Sequence, residues 1–197
     1  SHVRYDDLRT RREVIEADIA QFVRVHRQWR LPFASFIFPY NCAGYLGALS
    51  MAGVRIIRTI PPRWYAGIKP AVLRRILNLL TVAYGATPKP VMPSLGCTGI
   101  VDIPGCMLWY GTNGLRRFIP DRAQVRMAIA GIDRAVRSNA VFHLWFHPSN
   151  FVHDMDRQLA RFEDVLRHAR ACADRGELEI LSMDELAWRC YADDRND

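Results

Sequence analysis

The chain has 197 residues, half of them hydrophobic, which is enough for one substantial core and, by length, one domain over 1–197. Its net charge of +7 rests almost wholly on arginines interleaved with acids, as in Asp121-Arg122 and Asp133-Arg134, the pattern of solvated helix faces rather than of a nucleic-acid-binding stripe. No apolar run approaches the ~18 residues of a membrane span, and five scattered cysteines without a CxxC pair suit neither a disulfide framework nor a zinc ribbon. Nucleic-acid binding and membrane insertion are therefore set aside, and a reducing, cytoplasmic setting is expected.

Residues 5–29 read as a long amphipathic helix, with Ile15, Ile19, Phe22, Val23 and His26 at near-helical spacing. The proline-bounded run FASFIF (33–38) reads as a buried strand, 41–52 as a helix stopped by Gly53, and the β-branched VRIIRT (54–59) as a second strand. A third helix spans 70–85, its apolar face Val72, Leu73, Ile76, Leu77 and Leu80, its stop Gly85. A proline-rich loop, 87–99, leads to a brief strand in IVDIP (100–104), and a further loop runs through Gly114.

Pro120 opens the next helix, with Val125, Ile129, Ile132 and Val136 as its apolar positions. VFHLWF (141–146) is a strong strand candidate. Asp154 can cap a helix whose face is Leu159, Phe162, Leu166 and Ala169 and whose stop is Gly176. LEIL (178–181) reads as the last strand, and Ser182 with Glu185 forms a capping box for a closing helix.

Strands alternating with helices imply a mainly parallel sheet whose chemistry sits at the carboxyl ends of its strands. Two of those ends are polar: Pro39-Tyr40-Asn41, and FHPSNF with His147 and Asn150. On an extended strand His143, Trp145 and His147 share one face, and His147, last on the strand, reaches the rim. A rim histidine suits proton transfer near neutral pH, and equally a hydrogen-bonded structural role. His26, His153 and His168, beside charged helical residues, read as surface groups.

SFIFPYNCAGYLGALSMAGVRIIR, FHLWFHPSNF and FEDVLRHARACADRGELEILSMDELA together resemble the polysaccharide deacetylases, the NodB-homology or carbohydrate esterase family 4 proteins. The resemblance implies a distorted (β/α)7 barrel. Five strands are readable here, so the chain would be a partial domain lacking the first one or two strands. It also implies metal-dependent removal of N-acetyl groups from an amino-sugar polysaccharide or oligosaccharide, with a divalent cation, commonly zinc, polarising the acetamide carbonyl. His2 would be a metal ligand, the Tyr40 backbone N–H would help hold the oxyanion, and His147 would protonate the departing amine. Pro39, Asn41, Trp145 and Asn150 would line the substrate site.

The chain departs from that pattern in carrying Ile37 where the family has arginine and in lacking an Asp-x-x-Asp-Trp motif; Asp102 is the nearest acidic candidate. An alternative is a non-catalytic glycan-binding protein with Trp64, Trp109, Tyr110 and Trp145 as its sugar platform.

Overall fold

The computed structural model describes residues 3–7, 9–31, 33–61, 67–83 and 86–194. His2, Trp64 and Gly85, each singled out above, lie outside them. The described residues form two compact units, each built from separated segments: 1–60, 92–104 and 181–197, and 61–91 with 105–180.

The first unit is a four-stranded sheet between helices. It comprises α1 (Arg12–Gln28), β1 (Ser35–Ile37), α2 (Leu46–Met51), β2 (Ile56–Arg58), β3 (Ser94–Leu95), β4 (Val101–Asp102) and α6 (Met183–Asp193). The strand order is β1-β2-β4-β3, with β1–β2 and β2–β4 parallel and β3–β4 antiparallel. All three residues of β2 are buried, as a central parallel strand requires. Ile57 points into a cluster with Ile15, Ile19, Phe36 and Leu49, while Ile56 points the other way toward Val101 and Ala187 of α6. The helix expected from residue 5 starts only at Arg12. Tyr5 is instead drawn into the core edge-on to Phe36 and Phe38, its hydroxyl donating to Asp18 at 2.9 Å.

The second unit comprises α3 (Ala71–Ala83), β5 (Met107–Trp109), α4 (Asp121–Ser138), β6 (Leu144–Phe146) and α5 (Met155–Asp174). β5 and β6 pair in parallel across the α4 crossover, with Trp109 opposite Phe146. α4 and α5 lie side by side with matched ends: Arg157 bonds Asp121, Arg161 bonds Gln124 and His168 bonds Asp133. Of the apolar positions expected to form their faces, Ile132 and Ala169 are buried, Val125, Ile129, Val136 and Phe162 are half-buried, and Leu159 and Leu166 are exposed. α4 buries Ala123, Gln124, Met127, Ala128, Gly131, Ile132 and Ala135, and α5 buries Gln158, Arg161, Val165, Ala169 and Cys172. Small residues let the elements approach closely, and small or polar residues carry little hydrophobic signal in a sequence.

These sheets correct the barrel expectation. Both are open and small, four strands and two, whereas a (β/α)7 barrel needs every strand to have neighbours on both sides. The polysaccharide deacetylase resemblance therefore does not extend to the fold and assigns no family membership. Two smaller corrections follow. LEIL (178–181) is not a strand, and Ile180 is exposed. Of the expected apolar face of α3, Val72, Leu73, Ile76 and Leu80 are exposed and Leu77 is half-buried. Periodicity specified that helix, but burial depends on what lies over it.

Gly131 on α4 sits against the Phe142 ring so closely that an added Cβ would overlap it. Gly131→Ala is expected to destabilise by about 1–3 kcal/mol, read as a lower urea midpoint with an unchanged slope.

Candidate functional site

The rim of the first unit holds the 39–41 corner. Pro39–Asn41 form a single tight turn after β1 in which Tyr40 and Asn41 both adopt φ of 57°, a left-handed conformation that asparagine tolerates and tyrosine rarely takes. Tyr40 is exposed. Asn41 is tied to the end of β2, where its Oδ1 accepts from Arg58 Nη2 at 3.0 Å; burial pulls the Arg58 pKa down to about 10. Asp102, the acidic candidate, is a loop anchor: its carboxylate accepts from the Thr59 backbone N–H at 3.0 Å and from the Thr59 hydroxyl at 2.6 Å.

The first unit also has an open cleft of ≈ 590 Å³ beside α6, within the size range of small-ligand sites. Ser50, Arg55, Asp184, Trp188 and Tyr191 are among its lining residues. Trp188 is 69% exposed there. The Tyr191 hydroxyl is fixed at the Gly99 carbonyl, 2.8 Å away.

In the second unit, His147 lies at the carboxyl end of β6 with its side chain exposed, edge-on to Trp145 at 5.5 Å between ring centres. Asn150 closes the turn by accepting the His147 N–H on Oδ1 at 2.8 Å and donating its own N–H to the His147 carbonyl at 2.8 Å. Asn150 therefore shapes the loop that presents the imidazole. His143 is part of the scaffold: its N–H meets Cys106 Sγ at 3.2 Å and its carbonyl accepts from Cys106 N–H at 2.9 Å. Of the aromatic platform, Trp109 and Tyr110 are buried at 0% and 5% exposure, which removes them from any stacking surface.

Two arrangements escaped sequence reasoning. One is metal-ligating: Asp133 on α4 with His168 and Cys172 on α5, whose donor atoms all lie within 4.8 Å of one another, a set that can coordinate a divalent cation. His168 Nε2 is 2.6 Å from Asp133 Oδ1 and 3.7 Å from Cys172 Sγ. Tetrahedral zinc bonds of ~2.0–2.3 Å put nitrogen and sulfur ligands ~3.6 Å apart and nitrogen and oxygen ligands ~3.3 Å apart. The His–Cys pair already has that spacing, and the His–Asp pair would need to open by roughly 0.7 Å on the same geometry. Arg175 donates to Cys172 Sγ at 3.3 Å while pairing with Glu177 at 2.7 Å. The His-x-x-x-Cys spacing, which puts both side chains on one helix face, was the available signal; the aspartate on another helix was not foreseeable.

The other arrangement is a buried polar cluster around Arg161, in the second turn of α5, facing the first turn of α4. His168 is almost four turns beyond the start of α5, roughly 20 Å along the axis at 1.5 Å per residue. The triad and the rim with His147 therefore occupy opposite ends of the second unit.

Compared with models of known protein families, with curated proteins and with solved structures, the chain matches none. The structure is an α/β protein with open sheets, a three-donor cluster that could coordinate a divalent cation, and polar strand ends.

Burial raises the Tyr110 pKa to about 12, although Arg161 and Arg116 oppose the shift. Its folded value thus lies above its unfolded one, so the associated stability is intact below pH ~10 and is lost as pH rises toward ~12. Tyr110→Phe is expected to abolish about 2–3 kcal/mol of alkaline destabilisation over that window, measured by urea unfolding from pH 9 to 12.

Proposed function

We propose that the chain binds a divalent cation, with zinc as the ion, through Asp133, His168 and Cys172. The observation that carries this reading is three donors of zinc-compatible type on two helices fixed in register, with the His–Cys pair already at ligand spacing. Three protein ligands leave a fourth position for water or substrate, and Asp133 and His168 are partly exposed. Binding displaces a thiol proton, so affinity rises with pH. All five cysteines are free, which suits a reducing compartment, and the cytoplasm is the proposed location. No helix among the described residues is long and apolar enough to cross a membrane. Several arginines are engaged by neighbouring acids on their own helices, as Arg12 is by Glu16 and Arg170 by Asp174, which supports the proposal that nucleic acid is not a partner.

Titration with zinc against a chromophoric chelator is expected to give one site per chain. His168→Ala and Cys172→Ala should each weaken binding by at least about tenfold. A wild-type chain that takes up no zinc at micromolar concentration overturns the reading.

Hydrolysis of an N-acetyl group in an amino-sugar glycan is a reaction that such an open site could support, the cation polarising the carbonyl and holding water. It would not use His147, which lies at the other end of the unit. Acetate release from N-acetylated oligosaccharides with zinc present, if it occurs, should be lost in Cys172→Ala and retained in His147→Ala; the opposite pattern would place the chemistry at the rim.

A second reading, non-catalytic glycan binding, is favoured by the cleft with Trp188. An exposed indole supplies a stacking face, while Arg55 and Asp184 supply a donor and acceptors for hydroxyl groups. Under this reading Trp188→Ala removes saturable binding of an N-acetylglucosamine oligosaccharide while leaving zinc uptake unchanged, both followed by calorimetry.

A further inference from the structure

β5 and β6 run in parallel, and their carboxyl ends lead by short connections to the first turns of α4 and α5, the place where α/β structures put ligands. Neither helix start is capped by a side chain. First-turn N–H groups and the positive ends of two parallel helices therefore face the same region. Helix ends alone would not define a site; the side chains between them do.

Arg161 is 8% exposed, a charge removed almost completely from water. Its Nη2 donates to Gln124 Oε1 at 2.8 Å, its Nη1 lies 3.4 Å from both Gln158 Oε1 and Asp121 Oδ1, and its guanidinium sits 5.7 Å from the Trp109 ring centre. Gln124, fully buried, spends its amide N–H on the Tyr110 carbonyl at 3.4 Å. The nearby acceptors are thus engaged: both glutamine oxygens, that carbonyl, and the Asp121 carboxylate, which Arg157 also holds. Four donor groups in the same cluster remain sealed from solvent without any hydrogen-bond partner: Arg161 Nε, Gln158 Nε2, Trp109 Nε1 and the Tyr110 hydroxyl.

A buried donor without an acceptor is costly, and here three accompany a guanidinium whose own Nε is the fourth. Three of the four only donate, and the tyrosine hydroxyl both donates and accepts, so the deficit is mainly one of acceptors. A water molecule accepts from at most two of these donors and has to place two protons of its own. A group that only accepts matches the deficit. Charge agrees: Arg116, stacked 5.2 Å over the Tyr110 ring centre, joins Arg157 and Arg161, and among the described residues only Asp121 and Asp154 are paired with those arginines. One positive charge is left over.

We propose that this cluster is a binding site for an oxyanionic group, a carboxylate or a phosphate, held by Arg161, Trp109, Gln158 and Tyr110 at the converging starts of α4 and α5. It is independent of the cation triad, which lies near the other end of the same helices.

The test uses the full chain, titrated with inorganic phosphate and separately with acetate, against sodium chloride at matched ionic strength, with melting temperature and calorimetric heat as readouts. A saturable rise in melting temperature with one bound ion per chain is expected. Saturation by phosphate alone assigns a phosphate group, and saturation by acetate alone a carboxylate. Tyr110→Phe, which changes one atom, is expected to weaken that binding by about tenfold without lowering the melting temperature of the ligand-free protein. Arg161→Lys, which keeps the charge but loses the planar fork, should weaken it further. No saturable effect of either anion on the wild-type chain overturns the proposal, and so does binding that Tyr110→Phe leaves unchanged.

Discussion

The placement of a buried arginine between two parallel helices organises the second unit. Arg161 reaches across from α5 to Gln124 and Asp121 on α4, and a guanidinium out of water is tolerable only where oxygen atoms meet it. That requirement fixes how far α5 can slide or rotate against α4, because a one-residue shift would turn Arg161 away from its acceptors. The same register brings Arg157 to Asp121 near one end and His168 to Asp133 toward the other. The two chemical features of the seam, a donor-rich end and an end where three side chains could hold a cation, are consequences of one alignment.

The strands are too short for their ladders to impose that alignment. β5 and β6 have three residues each. Packing fills the role: Trp109, with no exposure, sits edge-on to Phe162, and Phe151 and Phe146 meet the same ring. The first unit solves the corresponding problem differently. There a central strand with every residue buried feeds both faces of the sheet, one toward α1 and α2 and the other toward α6.

The two ends of the second unit carry opposite electrostatic preferences. Helix starts favour negative groups and helix ends favour positive ones, whereas the side chains run the other way, Arg161 with unfilled donors toward the start and Asp133 with His168 and Cys172 toward the end. The exposed His147 belongs to the first of these ends by its position after β6. The Asp133, His168 and Cys172 donors do not adjoin it.

Much was legible from local rules. The helices of 12–28, 71–83, 121–138, 155–174 and 183–193 follow from apolar spacing, Pro120 and the Ser182–Glu185 box, whose bonds form as the motif requires. Strands around 36, 57, 101 and 145 follow from β-branched and aromatic runs. The polar turns at 39–41 and 147–150 were legible because alternation and turn chemistry are properties of neighbours in the chain. What the sequence could not determine was anything set by distant partners. MLW at 107–109 became a strand because Leu144–Phe146 pairs with it, and LEIL did not become one. Sheet closure, the buried faces of α4 and α5, and the meeting of Asp133 with His168 were decided by tertiary structure. Hydrophobic periodicity records which residues avoid water, whereas Gln124, Gln158 and Arg161 are buried for their hydrogen bonds, a requirement that exists only once both helices are in place.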